Sequence, residues 1–204
     1  MNNNNTNRLD GVSLSSAEKL ITPKFSFYKR PIQNVKPNKV ITLYEAYELI
    51  KGDNYKRQTT ALRAITDKEQ ARKYKAESFD YVTFSGTFSK RSADALIEHS
   101  GLCVLDFDYI YDVAELKRML LKDHFFDTEL LFVSPSGSGL KWIVSIDLKE
   151  DKHLNWFLAI TNYVKTSYQI EIDTSGKDIC RASFLGCDEQ VYINPKHLQF
   201  YDHA

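Results

Sequence analysis

A strand–turn–strand pattern in the middle of the chain most restricts the folds that this sequence can adopt. Residues 128–146, TELLFVSPSGSGLKWIVSI, hold two apolar runs joined by the segment SPSGSG. Apolar runs bounded by Gly, Pro and Ser predict strands, and a short turn between two strands predicts a β-hairpin. The chain therefore contains antiparallel pairing rather than only the crossover connections of a doubly wound sheet.

The remaining elements favour an α+β fold. Thr42 and Glu45 match a capping box ahead of an apolar stripe, and Gly52 is placed to end that helix. The prolines between Lys24 and Val40 favour an extended arm or an edge strand. Further helices are predicted at 58–65, 67–77, 112–122 and 151–168, and further strands at 79–88, 101–110, 170–173, RASFLG and QVYIN. Hairpins outnumber crossovers, so we expect a largely antiparallel sheet with flanking helices.

Length and composition set the organisation and exclude several classes of protein. The 204 residues suit one well-buried domain, which we expect over 23–204, after an Asn/Ser-rich tail at 1–22 that predicts disorder. Lys+Arg and Asp+Glu both number 27, so the net charge of zero excludes a general nucleic-acid coat but leaves open a local basic groove. No apolar run reaches the roughly 20 residues of a membrane span. The three cysteines lack CxxC spacing, which favours core positions in a cytoplasmic protein.

Two aspartates lie on one apolar strand. Asp106 and Asp108 flank Phe107 in GLCVLDFDYI, and residues two apart on a strand point to the same face. Two like charges at that spacing repel unless a cation lies between them, and carboxylate oxygens suit Mg²⁺ or Mn²⁺. A strand end that simply reaches solvent would also tolerate two aspartates. The DxD pattern is short and common, so both interpretations stay open.

The hairpin turn has the composition of an anion-binding loop. Ser136, Ser138 and the two glycines let the backbone turn sharply and present N–H and hydroxyl donors, and Lys141 begins the next strand as a point charge for a phosphate. The segment lacks the order of a Walker A loop and leads into a strand rather than a helix. An ordinary Gly/Ser hairpin with a solvated lysine fits the same letters.

Two further polar segments contain candidate residues for phosphate or metal binding. Asp173 ends the apolar run IEID and is followed by a basic loop with Arg181; a third acid beside cations suits two-metal phosphoryl transfer. Arg181 could instead pair with Asp178. Lys90 and Arg91 follow the segment TFSGTFS, where hydroxyls and cations could hold nucleic-acid phosphates or form a solvated turn.

In this order, the segments TFSGTF, HSGLCVLDFD, FVSPSGSGLK, EIDTSGKDICR and YINP resemble the VirE N-terminal-type domain. That family belongs to the archaeo-eukaryotic primase (primase-polymerase) superfamily. The resemblance implies a core related to the RNA-recognition fold with an N-terminal α/β element. It also implies a replication protein of a mobile element or phage, with a helicase-like ATPase domain in the same or another chain.

The resemblance assigns roles to individual residues. Asp106 and Asp108 match the metal-binding DxD motif, and Asp173 matches the single acid of the third motif. Lys141 stands where polymerising members carry histidine, and Arg181 falls where they place a basic residue. A lysine can hold a phosphate but cannot shuttle protons near neutral pH, so the departure bears on catalysis more than on nucleotide binding.

Three functions are consistent with these residues. The first is a DNA primase/polymerase-like nucleotidyltransferase in which Asp106, Asp108 and Asp173 bind Mg²⁺ or Mn²⁺ and act on a nucleoside triphosphate and single-stranded or primed DNA. Ser136, Ser138, Lys141 and Arg181 would then bind the triphosphate. The second is a catalytically inactive nucleotide- or single-stranded-DNA-binding module of a replication protein. The third is a metal-dependent nuclease.

Overall fold

The computed structural model describes residues 22–198 and consists of ten strands and five α-helices within that range. The strands are β1 Lys24–Tyr28, β2 Lys39–Thr42, β3 Tyr81–Thr83, β4 Gly86–Phe88, β5 Leu96–His99, β6 Leu102–Phe107, β7 Thr128–Val133, β8 Leu140–Ser145, β9 Ser183–Phe184 and β10 Tyr192–Ile193. The helices are α1 Leu43–Lys51, α2 Lys56–Ala64, α3 Lys68–Ser78, α4 Val113–Leu120 and α5 His153–Tyr168. The predicted disordered tail lies outside the described residues except for its last position.

The strands form two four-stranded sheets and a separate hairpin. One sheet has the order β2-β1-β3-β9, the other has the order β10-β7-β8-β6, and β4 pairs with β5. All of these strand pairs, within residues 22–198, are antiparallel. The predicted α+β class, the antiparallel pairing and the hairpin at 128–146 are confirmed.

The second sheet is buried on both faces because its side chains alternate between two apolar layers. On β6, Leu102 and Val104 pack toward the first sheet and α1, whereas Cys103, Leu105 and Phe107 pack toward α4 and α5. This alternation follows from the two-residue period of a strand. Asp106 shares the face of Val104, so its side chain lies at the end of the layer between the two sheets.

Local signals account for the helix boundaries. The side chain of Thr42 accepts a hydrogen bond from the backbone N–H of Glu45, and Glu45 reciprocates, which confirms the capping box of α1. The Asp67 side chain caps α3 by accepting a hydrogen bond from the backbone N–H of Gln70. The Asp112 side chain caps α4 by accepting one from the backbone N–H of Glu115.

Three sequence predictions are wrong in detail. The segment 79–88 is two strands rather than one, because Phe84 and Ser85 form a turn and the two halves enter different sheets. β1 is an interior strand rather than an edge strand, since it pairs with both β2 and β3. Residues 170–173 form no strand; Asp173 instead caps a 3₁₀ turn at Thr174–Lys177.

Candidate functional site

The end of β6 brings together residues that are far apart in the sequence. Asp106 on β6 lies directly opposite Lys141 on β8, and directly opposed residues point to the same face of a sheet. The backbone N–H of Asp173 donates a hydrogen bond to the carbonyl oxygen of Asp106 at 3.1 Å. We call the group formed by Asp106, Asp108, Lys141, Asp173 and Arg181 the acid cluster.

Asp106 is held between two cations. Its carboxylate is 5% exposed, and Oδ1 forms an ion pair with Nζ of Lys141, which is itself 8% exposed. Its Oδ2 lies 3.8 Å from Nε of Arg181. A buried carboxylate without such partners would carry a large desolvation cost. Lys141 is therefore a partner of Asp106 in this structure rather than a solvated lysine.

Arg181 links buried Asp106 to half-buried Asp173. Its Nη2 donates to Oδ2 of Asp173 at 3.0 Å, while its Nε faces Asp106 and is buried with no hydrogen-bond partner among the described residues. Arg181 therefore forms its ion pairs with Asp173 and Asp106, and not with Asp178. The Arg181 side chain is two-fifths exposed, so the outer part of its guanidinium can reach a ligand such as a phosphate, whereas its Nε is directed at Asp106.

Asp173 is kept ionised by its surroundings. Burial raises the pKa of its carboxyl, but the hydroxyl and the backbone N–H of Ser175 both donate to it, the latter at 2.9 Å. Together with the charges of Arg181 and Lys141, these donors hold its pKa below the ordinary value.

Asp108 differs from the other two acids. It follows the end of β6 and is exposed, and within residues 22–198 no hydrogen bond or ion pair engages its side chain. The Cβ of an alanine at Gly139 would lie 2.1 Å from the carbonyl oxygen of Phe107 and 3.4 Å from Cα of Asp108. The absence of a side chain at Gly139 therefore lets the hairpin turn approach this strand end closely.

The serines of the hairpin turn form a chain of hydroxyls beside Asp108. Oγ of Ser136 lies 3.1 Å from Oγ of Ser134 and 3.3 Å from Oγ of Ser138, and both Ser136 and Ser138 are exposed. The backbone N–H of Ile110 donates to the carbonyl of Ser138 at 2.9 Å, and Nε of Arg63 donates to the carbonyl of Pro135 at 3.2 Å. These contacts fix the turn next to the acid cluster.

Lys75 on α3 is a cation that the sequence patterns did not single out. Burial lowers the pKa of its ammonium and the charge of Lys141 lowers it further, while Asp108 and Asp106 act in the opposite direction. It forms no hydrogen bond or ion pair within the part of the chain that the structure describes, and its Nζ lies 5.7 Å from the ring centroid of Phe184. The sequence signal that could have indicated Lys75 is the basic composition of its helix, KEQARKYKAES.

The predicted nucleic-acid residues Lys90 and Arg91 form no hydrogen bond or ion pair with the acid cluster within the described residues, although the charge of Arg91 acts on Cys180, the neighbour of Arg181. Lys90 is exposed, and the Arg91 guanidinium lies 5.0 Å from the ring centroid of Tyr81. Neither residue contacts an acid of the cluster.

The acid cluster has the donor chemistry of a divalent-cation site but not a preformed cage. Among residues 22–198, no group of three His, Cys, Asp or Glu side chains is arranged to hold a metal ion. Lys141 and Arg181 supply the compensating charge at Asp106, whereas Asp108 keeps free carboxylate oxygens, the ligands that Mg²⁺ and Mn²⁺ prefer.

The fold and the site define an α+β domain in which an antiparallel sheet presents paired acids and cations beside a Gly/Ser turn. Residues 73–193, more than half of the chain, match the family described as BT4734-like, N-terminal domain, and the chain belongs to that family. The matched range contains every residue of the acid cluster and Lys75. No curated protein and no solved structure shows significant similarity to the chain. Among residues 22–198, no helix has the length and apolar character needed to cross a membrane.

Proposed function

We propose that this domain is a primase-polymerase-like nucleotidyltransferase of a replication protein, as the resemblance to the VirE N-terminal-type domain implies. The observation that carries the proposal is the convergence of Asp106, Asp173, Lys141 and Arg181 at one strand end beside the SPSGSG turn. Acids that could hold a divalent cation and cations that could hold a triphosphate are the two components that phosphoryl transfer needs.

In this proposal the chain's own residues bind and orient the nucleotide. Lys141, the exposed part of the Arg181 guanidinium, and the hydroxyls of Ser136 and Ser138 would hold the triphosphate. Asp106, Asp108 and Asp173 would hold Mg²⁺ or Mn²⁺, which supplies charge neutralisation at the reacting phosphate. The 3′-hydroxyl oxygen of a primer would attack the α-phosphorus in line and lose its proton to solvent water, the bond to the bridging oxygen would break, and pyrophosphate would leave.

Binding a cation at Asp106 requires a rearrangement of its ion pair. The ammonium of Lys141 occupies Oδ1 of Asp106, so a triphosphate that draws Lys141 away would free that oxygen for the metal ion. Nucleotide and metal binding are then coupled, and each should strengthen the other.

Primer extension tests the proposal. We expect metal-dependent addition of nucleotides by the wild-type chain and its loss in Asp106→Asn and Asp108→Asn. Asp127→Asn is the matched control, because Asp127 is exposed and lies between α4 and β7 outside the cluster. Extension by Asp106→Asn at the wild-type rate would remove Asp106 from the mechanism.

The ion pair between Lys141 and Asp106 also favours a second candidate, a module that binds nucleotide or single-stranded DNA without chemistry. A lysine that neutralises the central acid leaves a site that is stable without a metal ion. Filter binding of single-stranded DNA against salt concentration tests this candidate. No measurable affinity even at low salt, together with no nucleotide binding, would exclude it, and degradation of the DNA without incorporation would indicate a nuclease.

A further inference from the structure

Two exposed tyrosines follow the acid cluster directly along the chain. Tyr109 is 81% exposed and Tyr111 is 106% exposed, so neither ring is buried by the fold. Tyr109 has a φ of 56°, a left-handed conformation that is uncommon for a residue with a side chain. The backbone between them is held in place, because the N–H of Ile110 donates to the carbonyl of Ser138 at 2.9 Å. The fold therefore holds the backbone that carries these two exposed rings, directly after Asp108.

A row of cations on α3 runs alongside these rings. Lys68, Arg72 and Lys75 are spaced four and three residues apart, which places them on one face of the helix. We call these three residues the α3 basic stripe. Nζ of Lys68 lies 5.7 Å from the ring centroid of Tyr109, and the charge of Lys75 interacts with those of Asp108 and Asp106. The stripe thus extends from the tyrosines to the acid cluster.

The cations of the stripe are available to a ligand. Within the described residues, none of the three forms a hydrogen bond or an ion pair, and Lys68 and Arg72 are exposed. The helix also carries acids: Glu69 lies three positions before Arg72, next to it on the helix surface but with no ion pair between them, and Glu77 lies about 180° around the helix axis from Lys68. The stripe is therefore a local positive surface on a chain whose net charge is zero.

We propose that Tyr109, Tyr111 and the α3 basic stripe form a binding surface for single-stranded DNA that leads the strand to the acid cluster. Unpaired bases stack on the two rings, and the phosphates lie along Lys68 and Arg72. Sequence-tolerant binding of single strands uses this combination of aromatic rings and a basic groove. The inference rests on the proposed function, to which it adds the path of the DNA strand, and it places that path at α3 rather than at Lys90 and Arg91.

Fluorescence anisotropy of a labelled oligothymidine strand, with the full chain at low salt, tests the surface. We expect Tyr111→Ala to bind about tenfold more weakly, since one stacked base accounts for roughly that factor. Tyr109→Asn should weaken binding similarly, because Asn tolerates the left-handed backbone of Tyr109. Phe125→Ala is the matched control: Phe125 is also exposed but lies beyond the opposite end of α4, and its removal should leave the affinity unchanged.

The salt dependence tests the basic stripe. Lys68→Ala and Arg72→Ala should each reduce the slope of the logarithm of the binding constant against the logarithm of salt concentration by about 0.7, the value for one phosphate contact on a single strand. Lys122→Ala, at an exposed position after α4, is the matched control and should leave the slope unchanged.

Three outcomes would overturn the inference: no binding of the single strand by the wild-type chain at low salt, wild-type affinity in the Tyr109→Asn, Tyr111→Ala double variant, or tighter binding of a duplex of equal length. Calorimetry of a nucleoside triphosphate with Mn²⁺ separates this inference from the proposed function. Nucleotide binding should persist in Tyr111→Ala. If the wild-type chain bound no nucleotide while its DNA binding still depended on the tyrosines, the surface would stand and the nucleotidyl-transfer proposal would fall.

Discussion

Two carboxylates are buried beside cations in the second sheet, and their surroundings differ. Glu129 on β7 is 1% exposed; its Oε1 accepts from Nζ of Lys196 and its Oε2 lies against Nε2 of His197, both at 2.6 Å. Asp106 on β6 is also paired twice, but one of its partners, Arg181, is two-fifths exposed and lies 3.8 Å away. Asp108, with no partner in the described chain, lies next to it.

The comparison shows that a buried, paired acid does not by itself indicate a functional site. The Glu129 cluster satisfies both carboxylate oxygens and anchors the 3₁₀ turn Pro195–His197 to the sheet. The acid cluster instead combines a buried pair with an exposed acid and a turn rich in hydroxyls. Each cluster holds one buried nitrogen without a hydrogen-bond partner in the described chain, Nε of Arg181 and Nδ1 of His197, so this feature does not separate them. We therefore assign the first cluster to stability and keep the second as the proposed ligand site.

The largest effect on stability should come from Glu129→Gln. Neutralising a carboxylate that is 1% exposed takes the counter-charge from Lys196 and weakens the contact with Nε2 of His197, and we expect a loss of about 4 kcal/mol in the free energy of unfolding. Urea unfolding measures this loss. Nucleotide binding by the folded fraction should not change, and a loss below about 1 kcal/mol would contradict the assignment of this cluster to stability.

The pH dependence sharpens the same prediction. Burial raises the pKa of Glu129, but the hydrogen bonds from His197 and Lys196 and their charges hold it below the ordinary value of 4.5. A depressed folded-state pKa contributes stability that is fully present above the unfolded-state value and is lost as the pH falls through the folded-state value. Below about pH 4.5, the Glu129→Gln variant should therefore lose less stability than the wild-type chain does.

Lys141→Ala should have the next largest effect and should affect both stability and binding. It leaves Asp106 buried with only Arg181 nearby, and we expect a loss of about 3 kcal/mol in unfolding together with loss of nucleotide binding. A double-mutant cycle with Asp106→Asn measures the coupling, because the two losses should be less than additive. Fully additive losses would show that the ion pair does not stabilise the fold.

Gly139→Ala tests the close approach of the hairpin turn to β6. The new Cβ would lie 2.1 Å from the carbonyl oxygen of Phe107, so the strands must separate, at a cost of about 2 kcal/mol. Gly101→Ala is the control: its φ of 76° gives strain, but its Cβ meets no atom closer than 3.7 Å. Urea unfolding should show the larger loss at Gly139, and equal losses would exclude the close approach as the cause.

The smallest effect on stability should come from Asp108→Asn, which separates function from folding. Asp108 is exposed and has no partner within the described residues, so the urea midpoint should not move. Binding of Mn²⁺ in the presence of nucleotide, measured by electron paramagnetic resonance of the free ion, should nevertheless be lost. Unchanged Mn²⁺ binding would place the metal site elsewhere.

Most of the fold could be predicted because its signals are local. The capping box at Thr42, the SPSGSG turn and the apolar run of β6 each act over a few residues, and all three agree with the structure. The division of 79–88 into two strands could not be predicted, since the apolar pattern continues through Phe84 and only tertiary packing assigns the halves to different sheets.

The candidate site could be predicted in its residues but not in its pairing. Short polar motifs in the sequence indicate each of the four paired residues, Asp106, Asp173, Lys141 and Arg181. The ion pair of Lys141 with Asp106, however, depends on the register of β8 against β6, which the sequence does not determine. Lys75 and the tyrosines after Asp108 carry no motif. Their relation to the site depends on the tertiary placement of α3, which brings Lys75 within electrostatic reach of Asp106 and Asp108 and Lys68 onto the ring of Tyr109.

The most direct test of the nucleotide site is isothermal titration calorimetry of a non-hydrolysable nucleoside triphosphate with Mn²⁺. The titration compares four proteins: the wild type, Asp106→Asn, Lys141→Ala and the control Asp127→Asn. We expect metal-dependent binding by the wild type and the control, and its loss in Asp106→Asn and Lys141→Ala. Absence of binding by the wild-type chain, or equal binding by all four proteins, would contradict the claim that the acid cluster is a nucleotide site.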